Sequence, residues 1–349
     1  MTIRIIYISI LLLCFGACKE KTDKKHVPVE RYNILFLFTD DQRSGTINAL
    51  GNVKVITPNM DKLVNSGFSF TNTTIMGSFI GGVCAPSRAM LMTGRSLFKI
   101  DPTGSSIEQD HITLPEFLIK NGYETFHTGK WHNGRESFSR SFSSADNIFF
   151  GGMSDHYKVP LHSFEEDGDY SKEKIFFEEK HSSELYADAA VDFLESYDSE
   201  DPFFAFVSFQ APHDPRQMPK RYLDIYNEKE ISVPPNFMPG HPFDNGELEI
   251  RDEWLAKMPR TEKSIKKHLQ SYYAMITHTD AQIGRILKTL EDTGKAENTI
   301  IIFAGDNGLA VGQHGLMGKQ NLYEHSIGVP LVFSGSSIAR GKNDSPVYL

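Results

Sequence analysis

The stretch that decides the fold class of this chain is "YNILFLFTDDQ", residues Tyr32–Gln42. Its apolar middle is continuous and its end is charged. A strand of a parallel sheet is buried on both faces, so it is apolar throughout, and its carboxyl end opens on a polar crevice. The stretch "NTIIIFAGDNG", residues Asn298–Gly308, has the same pattern. We therefore predict that both stretches are buried strands of one sheet.

Helix signals follow this first strand. In "TPNMDKLVNSG", Thr57 is the predicted N-cap and Pro58 occupies the first helical position. Further strands are predicted in "ETFHTGKWH", "DPFFAFVSFQAPHDP" and, as the last one, "GVPLVFSG", and a long helix at about residues 264–292. The alternation predicts an α/β fold with a mostly parallel sheet between helix layers. Irregular polar segments at about residues 138–180 and 215–259 are predicted insertions above the sheet.

The N-terminal stretch "MTIRIIYISILLLCFGACKE" predicts export. One basic residue precedes an apolar run shorter than the roughly 20 residues that span a bilayer, which is typical of a signal peptide. The small residues before Cys18 resemble a bacterial lipobox, so residues 1–17 are predicted as a lipoprotein signal and Cys18 as the lipidated residue. An ordinary cleaved secretion signal is the alternative. Residues 18–31 are then a flexible tether, and residues 32–349 the folded domain.

This N-terminus predicts a location in the periplasm or on the outer-membrane or cell surface of a bacterium, with the lipid as the only expected membrane attachment. No other segment is apolar enough to cross a bilayer. The formal net charge is −9 and the sequence has no basic run, which argues against nucleic acid as a partner. The hydrophobic share of 40% is typical of a globular protein and sufficient for a large core.

Polar residues at two strand ends predict a metal site. Asp40 and Asp41 end the first strand, and Asp306 and Asn307 end the late one. Carboxylate and amide oxygens are the ligands that Ca²⁺ and Mg²⁺ prefer. Either pair alone is more often a helix cap or a solvated pair. Two pairs on strands that we expect to be adjacent favour the metal.

Four basic side chains lie at similar strand exits or loops. They are Lys130 and His132 in "GKWHNG", His213 in "APHDP" and Lys319 in "GLMGKQNLYEH". Beside a divalent cation they would form a pocket for a tetrahedral oxyanion and protonate a leaving oxygen. A lone lysine or histidine is more often an ordinary surface residue. The hypothesis therefore depends on the four side chains lying together.

Cys84 has no partner for a disulfide, because Cys14 leaves with the signal and Cys18 is predicted to carry lipid. A buried small hydrophobe is the plain interpretation of such a cysteine. However, "CAPSR" followed by "MLMTGR" matches the C-x-P-S-R signature of the type I sulfatases. The stretches "ILFLFTDDQ", "TGKWH", "APHDP", "FAGDNG" and "MGKQNLYEHSIGVPL" also occur in the order of that family. From about Asn33 onward, the chain resembles a formylglycine-dependent sulfatase.

The resemblance implies an alkaline phosphatase-like three-layer α/β/α sandwich, with residues 32–349 as the catalytic domain. In such enzymes a maturing enzyme oxidises the signature cysteine, here Cys84, to Cα-formylglycine, whose hydrate is a geminal diol. Pro86 and Arg88 would belong to the motif that this enzyme recognises. Calcium is implied as the metal, in preference to magnesium. The implied metal ligands are Asp40, Asp41, the modified Cys84, Asp306 and Asn307.

The resemblance also implies a mechanism for hydrolysis of a sulfate monoester. One diol hydroxyl attacks the sulfur, while the cation, Lys130, Lys319 and Arg88 spread the charge on the sulfuryl oxygens. His213, or His213 together with Lys319, protonates the departing alcohol. His132 takes the proton of the second hydroxyl, and sulfate leaves as the aldehyde re-forms. A serine or cysteine in place of the diol would be trapped as a stable sulfated enzyme.

Sulfatases of this type continue into a smaller C-terminal subdomain, whereas this chain stops at "NDSPVYL". The sequence is either a fragment or a form without that subdomain, and the polar stretch before "PVYL" favours a fragment. Sulfated glycans are the expected substrates, with choline sulfate or an aryl sulfate as lesser options. In the two insertions, His156, His162 and Arg216 are either ordinary surface residues, which we favour, or contacts to a sugar.

Two other functions remain open. A hydrolase of phosphate or phosphonate esters would use the same fold and would be favoured by a second metal site. A non-catalytic lipoprotein that binds sulfated glycans would retain a degenerate site, and an unmodified Cys84 would support it. The sequence leaves open which alcohol carries the sulfate, whether the action is exo or endo, and the oligomeric state.

Overall fold

In the computed structural model, which describes residues 31–52 and 54–349, the first predicted strand lies inside an eight-stranded sheet. The predicted signal peptide, Cys18 and almost all of the predicted tether lie outside the described residues. The strands are β1 (Asn33–Thr39), β2 (Phe68–Phe70), β3 (Thr73–Thr74), β4 (Glu124–Lys130), β5 (Ser144–Phe149), β6 (Phe203–Ser208), β7 (Thr299–Gly305), β8 (Leu331–Ser334), β9 (Gly341–Asn343) and β10 (Val347–Tyr348). The helices are α1 (Pro58–Ser66), α2 (Cys84–Thr93), α3 (Leu114–Lys120), α4 (Arg135–Ser139), α5 (Ser182–Ser196), α6 (Lys220–Leu223), α7 (Glu262–Asp292) and α8 (Glu324–Ile327).

The strand order is β5-β4-β6-β1-β7-β8-β2-β9. Strand β1 pairs in parallel with β6 on one side and with β7 on the other, and β4 and β5 continue the parallel part. Strand β8 is antiparallel to both β7 and β2. The predicted mostly parallel sheet is confirmed. Because β4, β6, β1 and β7 run in the same direction, their carboxyl ends meet at one edge.

Both faces of β1 are covered by helices, which explains its continuous apolar sequence. Leu35 and Leu37 belong to a core cluster that includes Ile276 and Ile283 of α7. Phe36 and Phe38 point to the other face, where they belong to a second cluster with Met92 of α2. Successive strand residues point to opposite faces, so the sheet separates two cores. The predicted three-layer sandwich is confirmed.

The first turn of α1 is held differently from the prediction. Thr57 makes no capping hydrogen bond. Instead, the carboxylate of Asp280 in α7 accepts hydrogen bonds from the backbone N–H groups of Asn59 and Met60, at 3.1 and 2.7 Å. An acid from another helix thus satisfies donors that a local cap would serve. The sequence around Thr57 contains no sign of this long-range contact.

Two predictions about the strands were wrong. The insertion predicted from residue 138 contains β5, an edge strand that is half-exposed at its start. The strand predicted as the last one, β8, is followed by β9 and β10, which pair in parallel with β2 and β3. These strands are short or lie at an edge, so they lack the apolar run that marks a central strand. Among the described residues, no helix combines the length and apolarity needed to cross a membrane.

Candidate active site

The carboxyl ends of β1, β4 and β7 bring the predicted polar residues together. Asp40 and Asp41 directly follow β1, Lys130 ends β4, and Asp306 and Asn307 follow β7. All five side chains are buried. Lys130 Nζ donates a hydrogen bond to Asp40 Oδ2, and Asn307 Nδ2 donates one to Asp41 Oδ1 at 2.6 Å. The strand ends therefore form one connected polar cluster inside the protein.

Cys84 is the first residue of α2 and its side chain is buried. Its thiol donates to Asp40 Oδ1 across 3.2 Å, and Lys319 Nζ donates to its sulfur across 2.8 Å. The free N–H groups and the positive dipole end of a helix favour an anion at this position. Burial is the main reason that the pKa of the Cys84 thiol lies well above its usual value, and the charge of Asp40 raises this pKa further. An unmodified thiol here is therefore protonated at neutral pH and weakly nucleophilic.

Arg88 lies one turn further along α2 and connects it to three strands. Its Nε donates to Asp306 Oδ2 at 2.9 Å, and its Nη1 donates to the backbone oxygen of Lys130 and to Ser208 Oγ, at 2.8 and 2.7 Å. The guanidinium also lies over the ring of Phe38, 5.0 Å from its centroid. Its buried Nη2 has no partner among the described residues. This nitrogen is a donor available to an oxyanion.

Two further loops bring basic groups to the same carboxylates. Lys319 Nζ bonds Asp41 Oδ1 at 2.5 Å. His213 Nε2 lies 3.7 Å from Asp41 Oδ2, while its Nδ1 is 2.7 Å from the backbone oxygen of Asp214. Since a carbonyl only accepts, Nδ1 carries the proton and Nε2 faces the cluster. Burial by itself would raise the pKa of Asp40. Nearby basic groups outweigh this effect and hold the pKa well below its usual range; they are Lys130, His213, Arg88 and Lys319.

His132 follows β4 with a positive φ of 73°. Burial is the main cause that lowers the pKa of His132 to about 2, and the positive charges of Lys130 and Arg88 lower it further. Its buried Nδ1 has no partner among the described residues. The ring is therefore neutral and within electrostatic reach of the cluster, although it is a weak base until an anion lies nearby.

The cluster has the composition of a site for a hard cation. Asp40, Asp41, Cys84 and His213 offer atoms that all lie within 4.8 Å of one another. Asp41 Oδ2 and Asn307 Oδ1 are buried acceptors without a hydrogen-bond partner among the described residues. Buried acceptors without donors are rare, and oxygen ligands suit Ca²⁺ or Mg²⁺. The residues fit a divalent cation.

Asp306, which we also predicted as a ligand, is not one of these four converging residues. Its Oδ1 accepts a hydrogen bond from the backbone N–H of Asp41 at 3.0 Å, and its Oδ2 accepts from Arg88. Its backbone oxygen accepts from Ser87 Oγ at 2.6 Å. These contacts fix the end of β7 against the start of α2.

Sequence reasoning missed Arg251, Asp252 and Glu253, which we call the 251–253 segment. Both Nη atoms of Arg251 bond the carboxylate of Asp214, at 2.5 and 2.8 Å. Burial by itself would raise the pKa of Asp214. The hydrogen bond from Arg251 and the nearby His213 outweigh burial and lower this pKa to about 2. This ion pair holds the residue whose backbone orients His213. In the sequence, three consecutive charged residues in a polar insertion indicate only a solvated loop.

The same segment holds the loop of Lys319. Glu253 is buried, and its carboxylate accepts from the backbone N–H groups of Met317 and Gly318, at 2.9 and 2.8 Å. Asp252 accepts from Gln320 Nε2 at 2.8 Å. The insertion therefore contacts the residues on both sides of Lys319. A contact between a side chain and a distant backbone cannot be recognised from a sequence motif.

His156 and His162 are buried, so the preference for surface residues was wrong for both. His156 Nε2 lies 3.0 Å from the backbone oxygen of His213, and its Nδ1 lies 2.7 Å from Ser182 Oγ. These contacts hold the backbone of the loop that carries His213. Arg216 Nη1 lies 2.8 Å from His268 Nδ1, and its buried Nε and Nη2 have no partner among the described residues.

A cavity of about 520 Å³ opens beside this cluster, and Val83 and Lys319 are part of its wall. Exposed apolar side chains line much of it, including Phe243, which is 58% exposed, and Leu322, which is 76% exposed. Concave sites with an apolar lining and a few polar groups are typical ligand sites. Its position next to Cys84 makes it the expected place for the remainder of a ligand whose anionic group binds at the cluster.

Comparison with known proteins identifies the family of this chain. The sequence model of one family, described as "Sulfatase", matches residues 32–348. An arylsulfatase of Klebsiella aerogenes is 30% identical over 80% of this chain and 66% of its own length. An N-acetylglucosamine-6-O-sulfatase of Bacteroides thetaiotaomicron is 26% identical over 97% of this chain and 68% of its own.

The fold also has close matches among solved structures. A protein solved with its substrate, D-glucosamine-2-N,6-O-disulfate, superposes with a TM-score of 0.74 at 24% identity. That match covers 91% of this chain and 74% of the other. The chain thus spans about two thirds to three quarters of the length of these three proteins.

Proposed function

This chain belongs to the sulfatase family of sulfuric ester hydrolases, and on that premise we propose that it hydrolyses sulfate monoesters of glycans at Cys84. The observation that carries the proposal is the position of Cys84. It lies at the start of a helix, bonded to both Asp40 and Lys319, with the unpartnered Nη2 of Arg88 one turn away. This arrangement suits a tetrahedral oxyanion bound next to a nucleophile.

The proposed nucleophile is the hydrate of a formylglycine derived from Cys84, produced by a maturing enzyme. This modified residue supplies both a hydroxyl for attack on sulfur and a second hydroxyl whose deprotonation releases sulfate. Its burial beside Asp40 excludes bulk water from the reacting group. The chain's own side chains then need to bind the sulfuryl oxygens, orient the ester and move protons.

Lys130, Lys319 and Arg88 are the proposed ligands of the sulfuryl oxygens. Lys130 and Lys319 are each hydrogen-bonded to a carboxylate, and Arg88 is fixed by three hydrogen bonds. Donors that are already in place cost no reorganisation when charge develops in the transition state. The rigid position of these three cations therefore favours the transition state over the free ester.

His213 is the proposed donor to the departing alcohol, with Lys319 as a second donor. The bond from His213 Nδ1 to the backbone of Asp214 leaves Nε2 facing the cluster. An imidazolium in that orientation can give its Nε2 proton to an oxygen bound there. His132 is the proposed base for sulfate release, since an adjacent sulfate would raise its pKa from about 2.

The proposed metal is Ca²⁺, in preference to Mg²⁺. Asp40, Asp41, Asn307 and the modified Cys84 would hold it, with Asp306 as the further ligand proposed from the sequence. When bound, the cation polarises a sulfuryl oxygen and lowers the pKa of the attacking hydroxyl. The unpartnered oxygens of Asp41 and Asn307 support this assignment.

A sulfated glycan is the proposed substrate class, with choline sulfate and aryl sulfates as lesser options. The relatives include an N-acetylglucosamine-6-O-sulfatase and a protein solved with a disulfated glucosamine. The cavity beside Cys84 has room for at least one sugar ring, since ligand pockets span about 300–1,000 Å³. Export and lipidation at Cys18 would place the enzyme where bacterial cells meet external glycans.

The test is mass spectrometry of the peptide spanning Cys84 after expression with a maturing enzyme, combined with assays of sulfate release. We expect replacement of the thiol by an aldehyde, and release of sulfate by the wild type but not by Cys84→Ala. Activity that survives this substitution would exclude Cys84 as the nucleophile. Faster hydrolysis of phosphate or phosphonate esters than of sulfate esters would favour the alternative activity. Binding without any hydrolysis would favour a glycan-binding lipoprotein.

A further inference from the structure

The cavity beside Cys84 has an uneven charge distribution. Its wall consists of Lys319 and three segments, namely residues 75–83, 241–247 and 320–327. Within the described residues that line it, Lys319 is the one lysine or arginine and Glu247 is the one acid. Segment 75–83 has no charged residue, and segment 320–327 has Glu324 but no lysine or arginine.

Lys319 is already engaged at the reacting centre. Its ammonium bonds Asp41 Oδ1 at 2.5 Å and Cys84 Sγ at 2.8 Å. It therefore faces the sulfate that is to be cleaved and is not free to neutralise a second anion on the same substrate. Any further negative charge in the cavity would meet no other lysine or arginine of the wall, and the remaining basic side chain there, His241, has its Nδ1 2.8 Å from the backbone oxygen of His314.

Glu247 is the acidic residue of the cavity wall. It lines the cavity, and the loop that carries it is acidic, since residues 241–249 include Asp244 and Glu249 and no lysine or arginine. The loop is locally ordered, because Asn245 Oδ1 accepts a hydrogen bond from the Glu247 backbone N–H at 3.1 Å. Glu247 therefore belongs to a folded turn next to the ligand space.

Apart from His241, the rest of the lining is apolar or uncharged. Phe79 and Phe243 are exposed on the wall, and Asn245 and Asn321 supply amide groups, whereas the amide of Gln320 is already engaged by protein groups. Apolar surface with a few amides can hold the faces and hydroxyls of a neutral sugar. A carboxylate or a second sulfate would instead lose hydration and face Glu247, and like charges in a partly desolvated site repel strongly.

We infer that this cavity selects an uncharged sugar next to the scissile sulfate and rejects substrates with a second anion on the same ring. The inference rests on the proposed function and deepens it by naming the class of leaving alcohol. Glu247 is the specificity-determining residue, because it is the charged group that lines the cavity without taking part in the proposed chemistry.

The experiment uses two probes that differ at one group, N-acetylglucosamine 6-sulfate and N-sulfoglucosamine 6-sulfate. With the aldehyde-bearing chain, we expect kcat/KM to be at least about tenfold higher for the neutral sugar, a difference of about 1.4 kcal/mol. Glu247→Lys should reduce this ratio by about tenfold, and Glu247→Gln should have an intermediate effect. The control is Glu249→Lys, which makes the same charge change on an exposed residue outside the lining and should change the ratio by less than about threefold.

Equal kcat/KM for the two sugars in the wild type, or equal effects of Glu247→Lys and Glu249→Lys, would overturn the inference. Equilibrium titration of the same two sugars into Cys84→Ala, with and without Glu247→Lys, separates this failure from that of the proposed function. If the aldehyde-bearing chain releases sulfate from no ester, the proposed function fails. The titration then still decides the selectivity, since preferential binding of the neutral sugar supports it and equal binding refutes it.

Discussion

His213 and Lys319 approach the same carboxylate, that of Asp41, from two different loops, so a departing alcohol could receive its proton from either. Their contacts differ. Lys319 already bonds Asp41 and Cys84, whereas Nε2 of His213 stands 3.7 Å from the nearest carboxylate oxygen. The imidazole has the freer position, and we therefore assign it the larger share of proton donation.

Replacement of His213 by glutamine should separate the two kinds of leaving group. Glutamine cannot donate a proton as a general acid, so kcat for a sugar sulfate should fall by about 10²–10⁴-fold. Hydrolysis of a 4-nitrophenyl sulfate, whose leaving phenolate is stable without a proton, should fall by less than about tenfold. His162→Gln, a buried histidine bonded to the Ser171 backbone, is the control. Equal losses for both esters would show that His213 binds the sulfate instead.

At the level of single residues, the sequence located the side chains that follow buried strands. Asp40 and Asp306 could be predicted because a charged residue after an apolar run is visible in the sequence. Glu253 and Arg251 could not, because their roles depend on contacts with Met317 and Asp214 that the fold brings close. Those contacts lie between an insertion and two remote loops.

At the scale of elements, the start of α2 depends on a close approach by another loop. Gly104 has a φ of +62°, and a Cβ there would lie 2.2 Å from the backbone nitrogen of Pro86. Asn133 Nδ2 donates to the backbone oxygens of both Ala85 and Gly104, at 2.8 and 2.6 Å. The first turn of α2, which presents Cys84, is thus held between these two segments.

Gly104→Ala should therefore move the first turn of α2. Gly94→Ala is the matched control, because Gly94 has a φ of +63° but a methyl group there would meet no other described residue within 4 Å. Both variants should lose about 1 kcal/mol from the left-handed backbone. Gly104→Ala alone should also lose kcat per aldehyde-bearing molecule, by about a hundredfold, since small displacements of reacting groups are costly. Equal kcat in the two variants would contradict the proposed role of this contact.

The 251–253 segment gives a second prediction for an element. Arg251→Met would remove both hydrogen bonds that the buried carboxylate of Asp214 accepts from Arg251, so we expect a loss of about 1–3 kcal/mol in the free energy of unfolding and about tenfold in kcat. Arg285→Met is the control, because Arg285 is equally exposed, at 45% against 42%, and also pairs with an aspartate. It should cost less than about 1 kcal/mol and leave kcat unchanged. Denaturant unfolding and steady-state kinetics measure both effects.

The order of the central elements could be predicted from the sequence, whereas the edges could not. Strands β1 and β7 have long apolar runs because helices cover both of their faces. Strand β5 carries polar residues at its start, and β9 has three residues, so neither differs from a loop in composition. Edge strands bury one side and pair with one neighbour, which weakens their sequence pattern.

For the molecule as a whole, several histidines are buried in the neutral form. Burial is the first cause that lowers the pKa of His127 to about 3, of His156 to about 4 and of His181 to about 2. The unfolded chain takes up these protons near pH 6.5, so the unfolded state binds more protons below that pH. The free energy of unfolding should fall as the pH drops from about 6.5 towards 4, by about 1.4 kcal/mol per pH unit for each histidine.

His127→Phe tests this dependence, because His127 packs among the rings of Trp131, Phe138 and Phe142 and a phenyl ring suits that environment. The variant should show a shallower decline between pH 6.5 and 5, by about 1.4 kcal/mol per pH unit. Urea unfolding at a series of pH values measures the slope. An unchanged slope would mean that His127 does not titrate on unfolding.

The proposed cation should also act on the whole molecule, since its ligands come from the ends of β1 and β7 and from α2. A ligand that binds only the folded state raises the free energy of unfolding by about 2.7 kcal/mol at a hundredfold excess over its Kd. We expect CaCl₂ to raise the unfolding temperature more than MgCl₂ does, and Asp41→Asn to remove the effect. A calcium response that persists in Asp41→Asn would place the cation elsewhere.

Because β1 and β7 are far apart in the chain, the two halves of the site are synthesised at different times. Asp41 and Asp306 are bonded although 265 residues separate them, and Lys319 follows Cys84 by 235 residues. At about 5–20 residues per second, a ribosome needs on the order of ten seconds or more to cover that distance. During this interval Asp40 is already present, but Lys319 cannot yet cover Cys84. The late arrival of β7 and of the Lys319 loop therefore leaves the nascent chain open to modification at a residue that the finished protein conceals.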